Sequence, residues 1–301
     1  MSSDLPRPAD APDTIAGFPP MPSGRFASFP QYLAQRTKRV TLGPAPAIIA
    51  HADWTTPAPV MLWLHGRTAS KELDPGRYMR WLRSGAESGG SGIAAVAIDL
   101  PGHGERASPG SDDPARTLDI IEQALGEIDL ILASLHDTVT RERWPLDLSR
   151  VGIGGMSLGG MIVLRRLCDS HAFRAAAVEG TAGWLGGMYF PADYGLASRP
   201  WPIDHPRERV ARLDAAEHMA RFRPIPLLDL HSQADEVVPF EPQRQFIERL
   251  RQHYRKLGAE PSLIELTSWA STGAAREHLG FGRFGNDAKN IQAQFLSRAL
   301  G

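Results

Sequence analysis

Apolar residues along this chain follow two rhythms. Unbroken runs at 60–65 and 93–100 predict strands buried on both faces, stopping at the turns His65-Gly66 and Pro101-Gly102. Shorter β-like pieces lie at 39–42, 47–51, 150–154, 175–179, 225–231 and 262–266. Between them, apolar residues recur every three or four positions. The segment 117–140 carries Leu118, Ile121, Leu125, Ile128, Ile131, Leu132 and Leu135 on one face. Segments 78–88, 158–168, 243–256 and 288–300 also read as helices. Apolar strands alternating with helices imply an α/β fold, with a mostly parallel central sheet of about eight strands flanked by helices on both faces. Such sheets gather reacting groups beyond the carboxyl ends of their strands.

Two stretches break the alternation. Residues 1–36 hold Pro6, Pro8, Pro12, Pro19, Pro20, Pro22 and Pro30 and read as an extended N-terminal arm, which leaves 37–301 as a single α/β domain. Residues 181–211 mix glycines and prolines with Trp184, Met188, Tyr189, Phe190, Tyr194 and Trp201. This stretch is expected to be a cap inserted over the sheet edge. Trp184, Met188, Tyr189, Phe190 and Trp201 are then candidates for an apolar or aromatic substrate pocket; packing of the cap onto its domain is the competing use of such side chains.

Composition narrows the classes. Net charge is −1 with both signs interspersed, so no basic stripe argues for nucleic acid. No run approaches the roughly 20 apolar residues that span a bilayer, and residues 1–22 lack an apolar core of signal-peptide length. The single cysteine, Cys168, can form no internal disulfide and reads as a small buried hydrophobe on a helix. A cytoplasmic location is expected.

The chemistry begins at Gly155-Met156-Ser157-Leu158-Gly159, a Gly-x-Ser-x-Gly run between a strand and a helix. A sharp turn there projects a serine hydroxyl out of the sheet, and Gly155, Gly159 and Gly160 permit close packing around it. A dinucleotide fingerprint would need a third glycine, and a phosphate-binding loop would need Lys-Ser/Thr; neither is present. A serine hydroxyl needs a base, and the base an orienting carboxylate. In this arrangement they follow in the order Ser, acid, His. Six histidines follow Ser157, but only His253 and His278 come after Asp235, which stands in the loop after the predicted strand 225–231. His253 falls in a charged helix, whereas His278 falls in a glycine-rich loop after the last strand. Asp235 and His278 are therefore the candidate partners, with Glu236 and Asp229 as alternate acids. The backbone N–H groups of Leu158 and Arg67 are the expected oxyanion donors. The Arg67 side chain either meets an acidic substrate group or is paired internally, and His65 is read as a structural hydrogen-bonding residue.

Taken together, His65-Gly66, Asp99-Leu-Pro-Gly-His-Gly104, Gly155–Gly159, Asp235 with Val237-Val238-Pro239, and His278 resemble the α/β-hydrolase superfamily over about 60–300. The loop from His65 to Glu72 is similar to that of dienelactone-hydrolase-like and prolyl-oligopeptidase-like esterases, with serine here in place of the dienelactone hydrolases' cysteine. The resemblance implies a Ser157–His278–Asp235 triad and a serine hydrolase without cofactor or metal. The expected substrate is a small-molecule carboxylic ester. A peptidase, amidase or acyltransferase using the same triad, and a non-catalytic binding protein on the same fold, remain the alternatives.

Overall fold

The computed structural model describes residues 29–84, 91–111 and 113–301. Eight strands form one sheet: β1 (Thr37–Leu42), β2 (Ala45–Ala50), β3 (Ala58–Leu64), β4 (Ala94–Ile98), β5 (Leu146–Met156), β6 (Ala175–Glu179), β7 (Leu227–Ser232) and β8 (Ile264–Trp269). Their spatial order is β1-β2-β4-β3-β5-β6-β7-β8. The β1–β2 and β2–β4 pairs are antiparallel and all others are parallel. The chain turns back beside β3, so β3 and β5 lie at the centre, with their carboxyl ends facing one crevice.

Alternation along β3 divides the core. Val60, Leu62 and Leu64 face one layer, built on α3 (Thr117–Glu142), α4 (Leu158–Arg166) and α7 (Phe240–Lys256). Met61 and Trp63 face the other, built on α2 (Pro75–Arg83) and α8 (Gly285–Leu300). A strand apolar at every position is what two covered faces require, and every residue of β3 is buried.

Element ends moved for local reasons. β5 starts at Leu146, before the expected 150, because Leu146 and Asp147 pair with Ala58 and Pro59 ahead of an irregularity in the ladder. Pro226 delays β7 to Leu227. Pro261–Leu263 forms a 3-10 turn, so β8 runs two to three residues later than its apolar residues suggested. Proline at the first helical position starts α2 at Pro75 instead of 78; the expected end of that helix, 85–88, lies outside the described residues.

Most of the expected extended arm, 1–28, also lies outside them. Its last part is not extended: α1 (Gln31–Ala34) buries Leu33 in the second core layer. Residues 181–211 hold α5 (Leu185–Tyr189), a 3-10 turn at Pro191–Tyr194 and most of α6 (Arg207–Leu213). They follow β6, and their buried side chains join the first core layer.

Candidate active site

The turn from β5 into α4 sets the site. Ser157 sits between them at φ 52°, ψ −117°, outside the regions open to most side chains. Tertiary contacts hold it there. Its N–H donates to the Glu179 carbonyl (2.8 Å), and its own carbonyl accepts from Met161 N–H (3.0 Å) and the Thr181 hydroxyl (2.8 Å). A side chain at Gly155 would place Cβ 2.8 Å from the Leu64 carbonyl oxygen, and one at Gly159 2.6 Å from that of His65. Glycine is therefore needed at both positions for the close passage of β3 and the elbow.

Ser157, Asp235 and His278 arrive from three strand ends. His278 Nε2 lies 2.9 Å from Ser157 Oγ and Nδ1 lies 2.7 Å from Asp235 Oδ2. Asp235 Oδ1 accepts from Val237 and Val238 N–H, 2.8 Å each, which fixes the carboxyl plane. All three side chains are nine-tenths or more buried. With Nδ1–H donating to Asp235, Nε2 is left to accept from the serine hydroxyl. That arrangement can remove a proton from Oγ and return it to a leaving group. The other candidates lie elsewhere. Asp229 is fully buried in β7 and bonded to Gln243, His253 donates to the Phe222 carbonyl, and Glu236 is exposed, whereas Asp235 is buried against His278.

Beside Ser157, Leu158 opens α4, so its N–H has no carbonyl partner within that helix. Gly66 packs against the elbow, with a Cβ there 3.4 Å from the Met156 carbonyl and 3.5 Å from Ser157 Cβ. This brings the Gly66-Arg67 turn alongside Leu158. His65 Nε2 accepts from Leu100 N–H (3.1 Å), so the ring carries its proton on Nδ1 and donates it to the Gly66 carbonyl (2.7 Å). The Arg67 guanidinium is engaged within the protein, by the Asp113 carbonyl (3.1 Å) and the Thr117 hydroxyl.

Behind this turn two of the quoted motifs meet in a pairing that the sequence did not reveal. Asp99 accepts from the backbone N–H groups of Lys71 (2.9 Å) and Glu105 (3.0 Å), and Lys71 Nζ bonds Asp99 and Glu105 at 2.6 Å each. Burial opposes the Lys71 charge, but the two carboxylates outweigh it and hold its pKa above the ordinary lysine value. The sequence signal was Asp99 at the end of an otherwise apolar run, a position where a carboxylate needs a partner.

A cavity of about 180 Å³ opens on Ser157 and His278, lined also by Gly66, Leu158, Met161 and Trp201. Of the five expected pocket residues, Trp201 lines it. Trp184, Met188, Tyr189 and Phe190 do not; they pack. Trp184 stacks edge-on with Tyr194 (4.7 Å) beneath Arg249 (3.8 Å), and Met188 is fully buried. Tyr189 packs against His205 (5.6 Å), and Phe190 lies under Arg207 (4.0 Å). These four side chains seal the segment to the first core layer, and Trp201 is left to reach the cavity. Among the described residues, no group of three His, Cys, Asp or Glu is placed to hold a metal, and no helix is long and apolar enough to cross a membrane.

A mostly parallel sheet with a serine on a strained strand-to-helix turn, followed by acid and histidine on later loops, is the arrangement of an α/β hydrolase. The chain belongs to the alpha/beta hydrolase family, whose model matches residues 61–299. Its sequence is 29% identical over 196 residues to the esterase YjfP of Escherichia coli strain K12, covering 61% of this chain and 71% of that protein. Among solved structures, TT1662 of Thermus thermophilus superposes with a TM-score of 0.61 at 22% identity, covering 88% of this chain and 98% of that one. The acylaminoacyl peptidase of Pyrococcus horikoshii superposes with a TM-score of 0.61 at 18% identity over 88% of this chain, which spans 42% of the peptidase. At these identities the two structures speak for the fold.

Proposed function

We propose that the protein is a serine hydrolase of small carboxylic esters, with Ser157 as nucleophile, His278 as base and Asp235 as the residue that orients it. The observation that carries this reading is the continuous relay from Asp235 Oδ2 through His278 to Ser157 Oγ, at 2.7 and 2.9 Å. Ser157 Oγ attacks the ester carbonyl as His278 takes its proton. The N–H groups of Leu158 and Arg67 receive the developing oxyanion. His278 then protonates the departing alcohol, and water cleaves the acyl-enzyme by the same proton path in reverse. A cavity near 180 Å³ is small beside the roughly 300–1,000 Å³ of pockets for drug-sized ligands, which favours a short acyl group. The similarity to an esterase supports ester over amide.

The test is a panel of p-nitrophenyl esters of rising chain length, run beside a peptide anilide, with Ser157→Ala and fluorophosphonate labelling. Acetate and butyrate are expected to lead, and the label to sit on Ser157. Full activity in Ser157→Ala would overturn the reading; anilide cleavage ahead of the esters would move it to a peptidase.

A further inference from the structure

The loop that carries His278 passes twice through left-handed backbone, at Arg276 (φ 53°) and Glu277 (φ 52°), neither of them glycine. One side chain clamps that loop. Glu277 Oε2 accepts from the Ser232 hydroxyl (2.8 Å), the Thr272 N–H (2.6 Å) and the Thr272 hydroxyl (2.8 Å). Its Oε1 accepts from the Ser271 hydroxyl (2.8 Å) and the Gly273 N–H (2.8 Å). Ser232 ends β7 and leads into Asp235, whereas Ser271 to Gly273 lead out of β8. One carboxylate therefore ties the segment bearing the acid to the segment bearing the histidine, from the position next to His278. The Glu236 N–H closes the same junction on the Arg276 carbonyl (3.1 Å). These donors, the Thr272 N–H foremost, hold the Glu277 carboxyl well below the usual carboxylate range.

We infer that Glu277 is a positioning residue, which sets His278 against Asp235 and Ser157 by clamping the ends of β7 and β8 without touching a reacting atom. This rests on the hydrolase reading above. The clamp requires a carboxylate. Two of the five donors are backbone N–H groups, one on each oxygen, and neither can rotate away. A glutamine has a single acceptor oxygen, so its NH2 must oppose one of them.

The experiment compares Glu277→Gln with wild type and with Glu265→Gln, which removes a β8 carboxylate paired to the exposed Arg298 outside the site. The readouts are kcat and KM on p-nitrophenyl acetate, the pH profile of kcat/KM, the thermal midpoint, and the downfield proton resonance of the His278–Asp235 hydrogen bond. Glu277→Gln is expected to lower kcat by about tenfold or more with KM within about twofold, to move the acid limb of the profile, and to shift or broaden the resonance. Glu265→Gln is expected to match wild type. Ser232→Ala, a milder change that removes only the tether to β7, should move the same readouts in the same direction by less. If both Glu277→Gln and Ser232→Ala keep the wild-type profile and resonance, whatever their melting temperatures, the inference is overturned. The resonance needs no substrate, so it decides the role of Glu277 separately; absence of ester cleavage and of Ser157 labelling in wild type would instead strike the hydrolase reading.

Discussion

Replacing Asp235 with asparagine tests the relay atom by atom. Oδ1 of Asp235 accepts from two backbone N–H groups, and Oδ2 faces His278 Nδ1. The asparagine carbonyl must occupy the Oδ1 position, because an NH2 there would oppose both Val237 and Val238. Its NH2 then faces His278 Nδ1 and donates to it. The ring proton is driven to Nε2, 2.9 Å from Ser157 Oγ, where no lone pair remains to accept the hydroxyl proton. A wrong tautomer of this kind costs about 10⁴-fold in kcat in the serine protease relay, equivalent to about 5 kcal/mol. Stability should hold, since both backbone donors stay satisfied. The assay is kcat on p-nitrophenyl acetate at neutral pH, beside the thermal midpoint. Activity within about tenfold of wild type at an unchanged midpoint would refute the relay, and a collapse of the midpoint would refute the argument that asparagine fits.

Burial pushes the Asp229 carboxyl up to about 7, with Oδ2 bonded to Gln243 and Oδ1 without a partner. The folded state keeps this proton where the unfolded chain, near 3.8, has lost it, so stability falls as pH rises from about 4 to 7 and levels above. Asp229→Asn should flatten a plot of thermal midpoint against pH over that window. Because burial also pushes Asp214 up to about 7, the slope should shrink and not vanish; parallel curves for the two proteins would contradict this. Gly159→Ala forces a Cβ against the Leu64 and His65 carbonyls and should cut kcat by about 100-fold through displacement of the elbow, read with the same ester. Glu179→Gln removes the carboxylate that Arg77 grips with both nitrogens and should destabilise the fold by roughly 3–5 kcal/mol in urea denaturation.

The parts of the site readable from sequence were those whose chemistry dictates a local pattern. A serine on a strained turn needs glycines at 155 and 159, so the elbow marked itself. Chain order narrowed six histidines to two, and setting chose between them: His253 falls in a charged helix and His278 in a loop after the last strand, just as Asp235 falls in a loop and Asp229 inside a strand. What stayed hidden depends on distance in sequence. Lys71 meets Asp99 across 28 residues and Glu277 meets Ser232 across 45, and neither pairing leaves a periodic trace. The aromatic residues of 181–211 misled for a related reason. Hydrophobicity reports that Trp184 or Tyr189 leaves water, not which surface it meets, and here the surface was its own domain.

The strain at Ser157 and the buried ions beneath it are connected. Ser157 keeps its unusual backbone because its N–H reaches the Glu179 carbonyl, and Glu179 ends β6 with its carboxylate buried. Arg77 from α2 holds both carboxylate oxygens, and Gln292 from α8 donates to one at 2.9 Å. Arg77 also bonds Asp74 (3.1 Å) and lies 4.3 Å over the Trp63 ring of β3. Two helices on one face of the sheet thus brace the strand end against which the elbow on the other face is pulled. A hydrophobic cluster of the same volume could stabilise the fold as well, but it would not fix the Glu179 side chain, and with it the end of β6, by hydrogen bonds from two helices.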